Sequence, residues 1–137
     1  VKTYGLEVVL KGNKQFGNHK FDLSSSYGYT KSVNTLLDKQ LIYVPNHKWV
    51  TNFQYTYRRF SLHSQVLYNG QVYTSSDNAN ILADYMVFNS GISYGFGKKQ
   101  NYKVGFQSAN ISNENYQKIL GRPMPGRNYT FNINLNF

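Results

Sequence analysis

The sequence predicts an all-β chain, an antiparallel transmembrane β-barrel segment of about seven strands. Three observations carry that prediction. Residues 128–137 alternate without a break, with Tyr129, Phe131, Ile133, Leu135 and Phe137 on one side and only Asn or Thr on the other. Successive strand side chains point to opposite faces, so this strand has an apolar face and an uncharged polar face. Its ten residues exceed the usual strand of about 5–6 and, at a tilt near 40°, span about 25 Å, the height of a membrane's apolar band. The second observation is that short basic turns alternate along the chain with long loops that hold most of the acids. The third is that aromatic residues gather at both ends of the strands, where membrane interfaces favour them.

In chain order, residues 3–11 place Tyr4, Leu6, Val8 and Leu10 on one face. The Gly- and Asn-rich stretch 12–18 reads as a turn. Residues 20–31 follow with Phe21, Leu23, Ser25, Tyr27 and Tyr29 on the apolar face. The alternation lapses over 34–46, where Pro45 argues for a loop because it lacks a backbone donor. It resumes at Trp49, Thr51, Phe53, Tyr55 and Tyr57, turns at Arg58-Arg59, and returns as Phe60, Leu62, Ser64, Val66 and Tyr68. After a polar loop at 73–84, a fifth strand sets Met86, Phe88, Ile92, Tyr94 and Phe96 on one face. The turn Gly97-Lys98-Lys99-Gln100 leads into a sixth strand through Tyr102, Val104 and Phe106; the longest loop, to residue 127, precedes the seventh. On this plan Tyr27, Tyr29, Trp49, Tyr68, Tyr85 and Tyr129 form a girdle at the loop end. Tyr55, Tyr57, Phe60, Tyr94, Phe96, Tyr102 and Phe137 form one at the turn end.

Composition agrees. Only 15% of the 137 residues are charged, 17% are aromatic and 13 are Tyr. No apolar run is long enough for a transmembrane helix, a test that barrel strands escape because their apolar residues alternate with polar ones. The net charge of +9 invites a nucleic-acid reading. The cations lie in or beside turns, however, and no RNP-like, helix-turn-helix or zinc-finger pattern appears, so no nucleic-acid partner is expected. A soluble β-sandwich with Tyr-rich edges is the plain alternative; the regular strand lengths and paired girdles favour the membrane. Cysteine is absent, which excludes disulfides and thiolate metal sites. No signal peptide opens the chain, and a processed chain or a fragment is the expectation.

No catalytic constellation is visible. His19, His47 and His63 show no metal-ligand spacing, and the six carboxylates form no suggestive pair. Catalytic residues, metal sites and cofactors are accordingly expected to be none. The polar faces are more informative: Asn52, Gln54, Thr56, Gln65, Asn89, Ser93, Gln107, Asn132 and Asn134 suit a wet barrel interior or a packed polar plug.

Several segments resemble TonB-dependent outer-membrane receptors. Residues 116–129 (Tyr116, the short loop, Pro125-Gly126-Arg127, then the closing strand) are similar in order and spacing to the C-terminus of that family. Tyr4-Gly5-Leu6-Glu7 resembles a barrel-strand opening, Tyr43-Val44-Pro45-Asn46-His47-Lys48 a strand entry, and Tyr68-Asn69-Gly70 a strand end. Asn110-Ile111 with Tyr116 resembles the approach to the closing hairpin, with Ile where the family has Leu. The likeness spans essentially residues 1–137, read as one C-terminal barrel domain without its plug.

The resemblance implies a 22-stranded barrel filled by an N-terminal plug, with about fifteen strands beyond those seen here. It implies import of a scarce nutrient, an iron-siderophore, haem, cobalamin or a glycan, in the bacterial outer membrane. Partners so implied are the remaining strands and plug, an inner-membrane energising complex, membrane lipid, the barrel assembly machinery and a small-molecule or glycan substrate. Loop sequences differ between receptors, so the exterior-loop candidates for substrate contact are generic: Tyr43, His47, Asp77, Asn78, Asn113, Tyr116 and Arg122. Tyr129, Phe131, Ile133, Leu135 and Phe137 are expected to form the assembly signal. The rival functions are a small complete outer-membrane barrel with a structural or adhesive role, and a soluble β-domain that binds an acidic partner.

Overall fold

The alternation becomes one long sheet. A computed structural model describes residues 1–97 and 101–135. Its strands are β1 (Lys2–Phe16), β2 (His19–Asn34), β3 (Lys39–Gln40), β4 (His47–Tyr57), β5 (Phe60–Asn69), β6 (Val72–Tyr73), β7 (Ile81–Leu82), β8 (Tyr85–Phe96), β9 (Tyr102–Ala109), β10 (Gln117–Ile119), β11 (Arg122–Pro123) and β12 (Asn128–Leu135). The order β1-β2-β4-β5-β8-β9-β12 forms one antiparallel meander of seven strands, to which β3 adds a short edge on β2. The small pairs β6-β7 and β10-β11 lie inside the long loops. The sheet is open, with β1 and β12 as its edges.

Register shows why the alternation matters. Residues opposite each other in an antiparallel ladder share a face, so one slip would mix apolar and polar sides. No slip occurs. Tyr27 opposes Trp49, which opposes Tyr68, which opposes Met86. Near the other end Tyr57 opposes Phe60, Phe60 opposes Tyr94, Tyr94 opposes Val104 and Val104 opposes Ile133. One apolar face thus runs across all seven strands, and among the described residues nothing covers it: Leu6 is 62% exposed, Leu23 50%, Ile92 45% and Phe131 65%. An apolar surface this continuous needs another apolar medium. Several hydroxyls on this face pair with a neighbour, while the buried Ser108 Oγ, opposite Ser90, has no partner among the described residues. Ser25 Oγ and Thr51 Oγ1 share a 2.8 Å hydrogen bond, Trp49 Nε1 donates to Ser25 Oγ at 2.9 Å, and Ser64 and Ser90 are 3.0 Å apart. Such pairing is what groups facing hydrocarbon require.

Strand lengths fit a membrane. β4, β5 and β8 have 11, 10 and 12 residues, which at about 3.3 Å per residue and a tilt near 40° rise roughly 25–30 Å. Among the described residues no helix is long and apolar enough to cross a membrane.

The structure corrects several expectations. Residues 12–16 are not turn: β1 continues to Phe16, because Gly12, Lys14 and Phe16 keep the apolar-face parity and pair with Leu23, Phe21 and His19. Only Gly17 and Asn18 turn, with Gly17 at φ 56°, a conformation open to glycine at no steric cost. β2 runs three residues past Lys31. Each long loop, expected to lack strands, carries a short ladder. Tyr85 leaves the girdle, since it opposes Asn69 on the polar face and is only 7% exposed. The turn at Lys98-Lys99-Gln100 and the terminal Phe137 lie outside the described residues. Arg58-Arg59 is the tight turn expected, with Arg58 at φ 53°.

The faces make opposite demands on a charge. Placing Arg at Ile133, on the exposed apolar face, should destabilise the folded barrel by about 2–4 kcal/mol, whereas Asn132→Arg should cost much less. Equilibrium folding of both variants of the full-length protein into lipid vesicles reads the difference. Equal losses would mean the faces are wrongly assigned.

Candidate functional site at the loop end

The polar face is built from amides. Gln65 Nε2 donates to Asn52 Oδ1 at 2.8 Å, Asn89 Nδ2 donates to Gln65 Oε1 at 3.0 Å, and the backbone N–H of Asn110 donates to Asn89 Oδ1 at 2.9 Å. At the far end Asn52 Nδ2 reaches Ser24 Oγ at 3.4 Å. A backbone N–H can only donate, so Asn110 decides which end of the Asn89 amide is the acceptor, and every amide behind it follows. The ladder crosses β2, β4, β5 and β8 and ends at the base of the last long loop. Two glycines leave room for side chains of the polar face: a Cβ on Gly91 would meet the His63 imidazole, and one on Gly105 the Asn132 amide.

Asn110 also organises that loop. It is 3% exposed, and its φ of 51° is one Asn tolerates better than most residues. Its Nδ2 donates to the carbonyls of Glu114 (2.9 Å) and Pro125 (3.3 Å), and its Oδ1 accepts from the Glu114 N–H at 2.8 Å. Asn113 Oδ1 accepts from the Arg127 N–H at 2.9 Å. The loop is thereby folded back towards the polar face, where the Tyr116 ring packs against Tyr85 at a tilt of 34° with centroids 4.4 Å apart. Val72, Tyr85 and Val87 are the buried apolar residues of the described chain, so the most protein-like packing lies at this end.

The other two loops are tied together. The Gln40 N–H donates to Asn78 Oδ1 and Asn78 Nδ2 donates back to the Gln40 carbonyl, both at 2.9 Å, while the Tyr43 N–H donates to the Tyr73 carbonyl at 2.9 Å. Between loops and strands lie two recesses. One of about 310 Å³ includes Asp84, Tyr116, Gln117 and Met124 in its lining. One of about 160 Å³ includes Tyr43, Tyr85 and Lys118. Gln117, Leu82 and Ala83 border both.

The seven exterior candidates therefore have different surroundings. Tyr43 and Tyr116 border the recesses. Asn78 and Asn113 hold loop backbone. Asp77 caps a loop tip, and Arg122 is exposed on β11. His47 opposes Tyr29 on the apolar face, and its Nδ1 shares a 2.7 Å hydrogen bond with Tyr27 Oη, which sets it away from the polar face. Sequence reasoning missed Tyr85, Gln40, Lys118 and the role of Asn110. The parity of Tyr85 with Val87 and Asn89 could have moved it to the polar face; the contacts of the others join distant segments.

Asp77 generates a pH prediction. Its Oδ1 accepts from Ser75 Oγ at 2.6 Å and from the Ala79 N–H at 3.0 Å. The Ser75 hydroxyl foremost, then the Ala79 N–H, hold the Asp77 carboxyl below its ordinary value of 3.8. A depressed carboxyl stabilises the fold above its unfolded pKa, and that contribution is lost as pH falls through the folded value. Exchange of backbone hydrogens over residues 74–80, corrected for intrinsic rates, should therefore rise as pH falls from the ordinary value of 3.8 through the lower folded one, and Asp77→Ala should abolish the change. An Asp77→Ala protein with the same pH response would refute the assignment.

The comparisons with known proteins agree with this geometry. The family model described as TonB dependent receptor-like, beta-barrel, matches residues 1–113. Among solved structures, the chain is similar to the siderophore receptor PiuA from Acinetobacter baumannii, with a TM-score of 0.76, 17% identity, and coverage of 97% of this chain and 21% of that one. It is also similar to the copper transporter OprC, with a TM-score of 0.67, 19% identity, and coverage of 96% and 24%. The chain thus spans about a quarter or less of those structures' length. Barrels of this family are outer-membrane proteins of receptors and transporters, which explains an apolar face with no protein over it and a polar face lined with amides. The chain belongs to the TonB-dependent receptor-like β-barrel family.

Proposed function

We propose that the chain is a wall segment of an active transporter that imports a scarce nutrient across the outer membrane. The observation that supports this most is the last long loop, clamped by Asn110 and folded so that Tyr116 covers Tyr85 at the mouth of the polar face. Loops serving only as exterior connections need no such inward fold. In this reading the loop end faces the exterior and the turn end the periplasm, as the long-loop and short-turn asymmetry of outer-membrane barrels favours. Tyr43, Tyr85, Tyr116 and Gln117 then stand where a substrate would enter. Iron-siderophore, haem, cobalamin and glycan remain the candidate classes; the names of the two similar structures fit a metal or a metal complex, and the tyrosine-rich recesses suit a ligand with flat or apolar parts.

The reading also requires partners. Backbone groups on the outer edges of β1 and β12 have no ladder partner in this sheet, and each group left unsatisfied in hydrocarbon costs several kcal/mol. The remaining strands of the receptor would supply that pairing, a plug would fill the lumen, and an inner-membrane complex would supply energy through the plug. The C-terminal alternation ending at Phe137 would be recognised by the assembly machinery.

Two measurements test this. Cells expressing the full-length protein should accumulate one labelled substrate class only while the inner membrane is energised, and Tyr116→Ala should lower that uptake several-fold with barrel abundance unchanged. Uptake that persists without energy would exclude active transport. Separately, residues 1–137 in mild detergent should be found only in assemblies. A lone 15.8 kDa folded β monomer would show that the edges need no partner.

A further inference from the structure

At the turn end the apolar face finishes in a row of six side chains. Lys14 Nζ lies 5.3 Å from the centroid of the Phe16 ring. Phe16 directly opposes His19 across the first hairpin. The His19 ring sits 4.4 Å from the ring of Tyr57, and its Nδ1 shares a 2.8 Å hydrogen bond with the Tyr55 hydroxyl. Arg58, in the turn just past β4, places its guanidinium carbon 5.4 Å from the Tyr57 centroid. Register puts Lys14, Phe16, His19, Tyr55 and Tyr57 on the apolar face, and Lys14, Phe16, His19 and Arg58 are exposed.

Two features set this row apart from an ordinary aromatic girdle. Each cation lies over a ring, which holds it at the height of the interface instead of leaving it to reach into bulk water. No carboxylate answers the two charges: among the described residues the one ion pair is Lys20–Asp22 at 3.2 Å, and those residues alternate onto the polar face. Immediately beside the row, Phe21, Leu23 and Phe53 continue the apolar face.

We propose that this row seats an anionic glycerophospholipid, with its phosphate between Lys14 and Arg58 and its acyl chains along Phe21, Leu23 and Phe53. The proposal rests on the membrane-wall reading above and adds a headgroup preference for the leaflet at the turn end. Two unpaired cations favour a lipid of net negative charge. A zwitterionic phospholipid brings its own ammonium into the same site and leaves them uncompensated. Guanidinium and ammonium donors form short, charge-assisted hydrogen bonds to phosphate oxygens, and an aromatic floor removes part of their competing water.

The test uses the full-length protein in nanodiscs of mixed phosphatidylglycerol and phosphatidylethanolamine. Barrel folding is checked first by circular dichroism and heat-dependent gel migration, and retained lipids are then identified by native mass spectrometry. Wild type should retain phosphatidylglycerol preferentially. The preference should fall about five-fold for each cation removed in Lys14→Gln and Arg58→Gln, while Lys31→Gln, on the same face at the loop end, should retain it. Phe16→Leu, which keeps the apolar bulk but removes the ring under Lys14, should weaken it too, and this variant carries the test should the double cation variant fold poorly. A folded wild type without preference, an unchanged double variant, or an equal loss in Lys31→Gln would each overturn the lipid seat alone. A wild type that does not fold into bilayers would overturn the membrane-wall reading and the seat with it.

Discussion

Everything in this molecule depends on one constraint: a backbone in hydrocarbon must find its hydrogen-bond partners within the protein. A sheet answers it strand by strand, and this chain answers it through seven strands whose ladders keep a single register from one neighbour to the next. The same ladder dictates side-chain placement. With a period of two, a continuous register turns a simple alternation in the sequence into two chemically distinct surfaces. The usual hydrophobic core is nearly missing as a consequence. Most large apolar side chains point away from the protein, and the few buried ones, Val72, Tyr85 and Val87, serve the loops.

The polar face is stabilised by a different means. Its amides bond laterally, from Asn110 through Asn89, Gln65 and Asn52 to Ser24, so neighbouring strands are joined by side chains as well as by backbone. Each such bond contributes about 1 kcal/mol net, modest singly but cooperative when a fixed donor orients the whole series. The series begins at the residue that clamps the last loop. Wall and loop therefore share one hydrogen-bond network, and the loop is held above the interior by the same interactions that stiffen the wall.

The two ends of the sheet have diverged. At the turn end the two described turns are the dipeptides Gly17-Asn18 and Arg58-Arg59, and cations rest on aromatic rings beside the apolar face. At the loop end the connections are long, carry hydrogen-bonded turns with Asp38, Tyr43, Asn78, Asn110 and Asn113 at positive φ, and pack on one another. Backbone strain of order 1 kcal/mol or more at a residue such as Tyr43 persists where surrounding contacts hold it. Here those contacts are the neighbouring loop and β6.

By itself the sequence determined the strands that cross the membrane and the direction of their side chains. Tyr129, Phe131, Ile133 and Leu135 announce their face because neighbours on a strand alternate, a rule that needs no tertiary information. The short turn at Arg58-Arg59 and the loop at Pro45 were legible for similarly local reasons. Only the tertiary structure decided what depends on partners far along the chain. The hairpin of β1 and β2 extends through Gly12 and Asn13, residues that signal a turn, because pairing with Leu23 and Asp22 outweighs their local preference. Tyr85 turned inward because Asn69 is its cross-strand partner and Tyr116 its cover. Asn78 and Asn110 became clamps because their amides meet Gln40 in one case, and Glu114, Pro125 and the wall in the other. Hydrogen bonds between loops close over separations such as the 38 residues from Gln40 to Asn78, and no periodicity records where the far end of such a contact will fall.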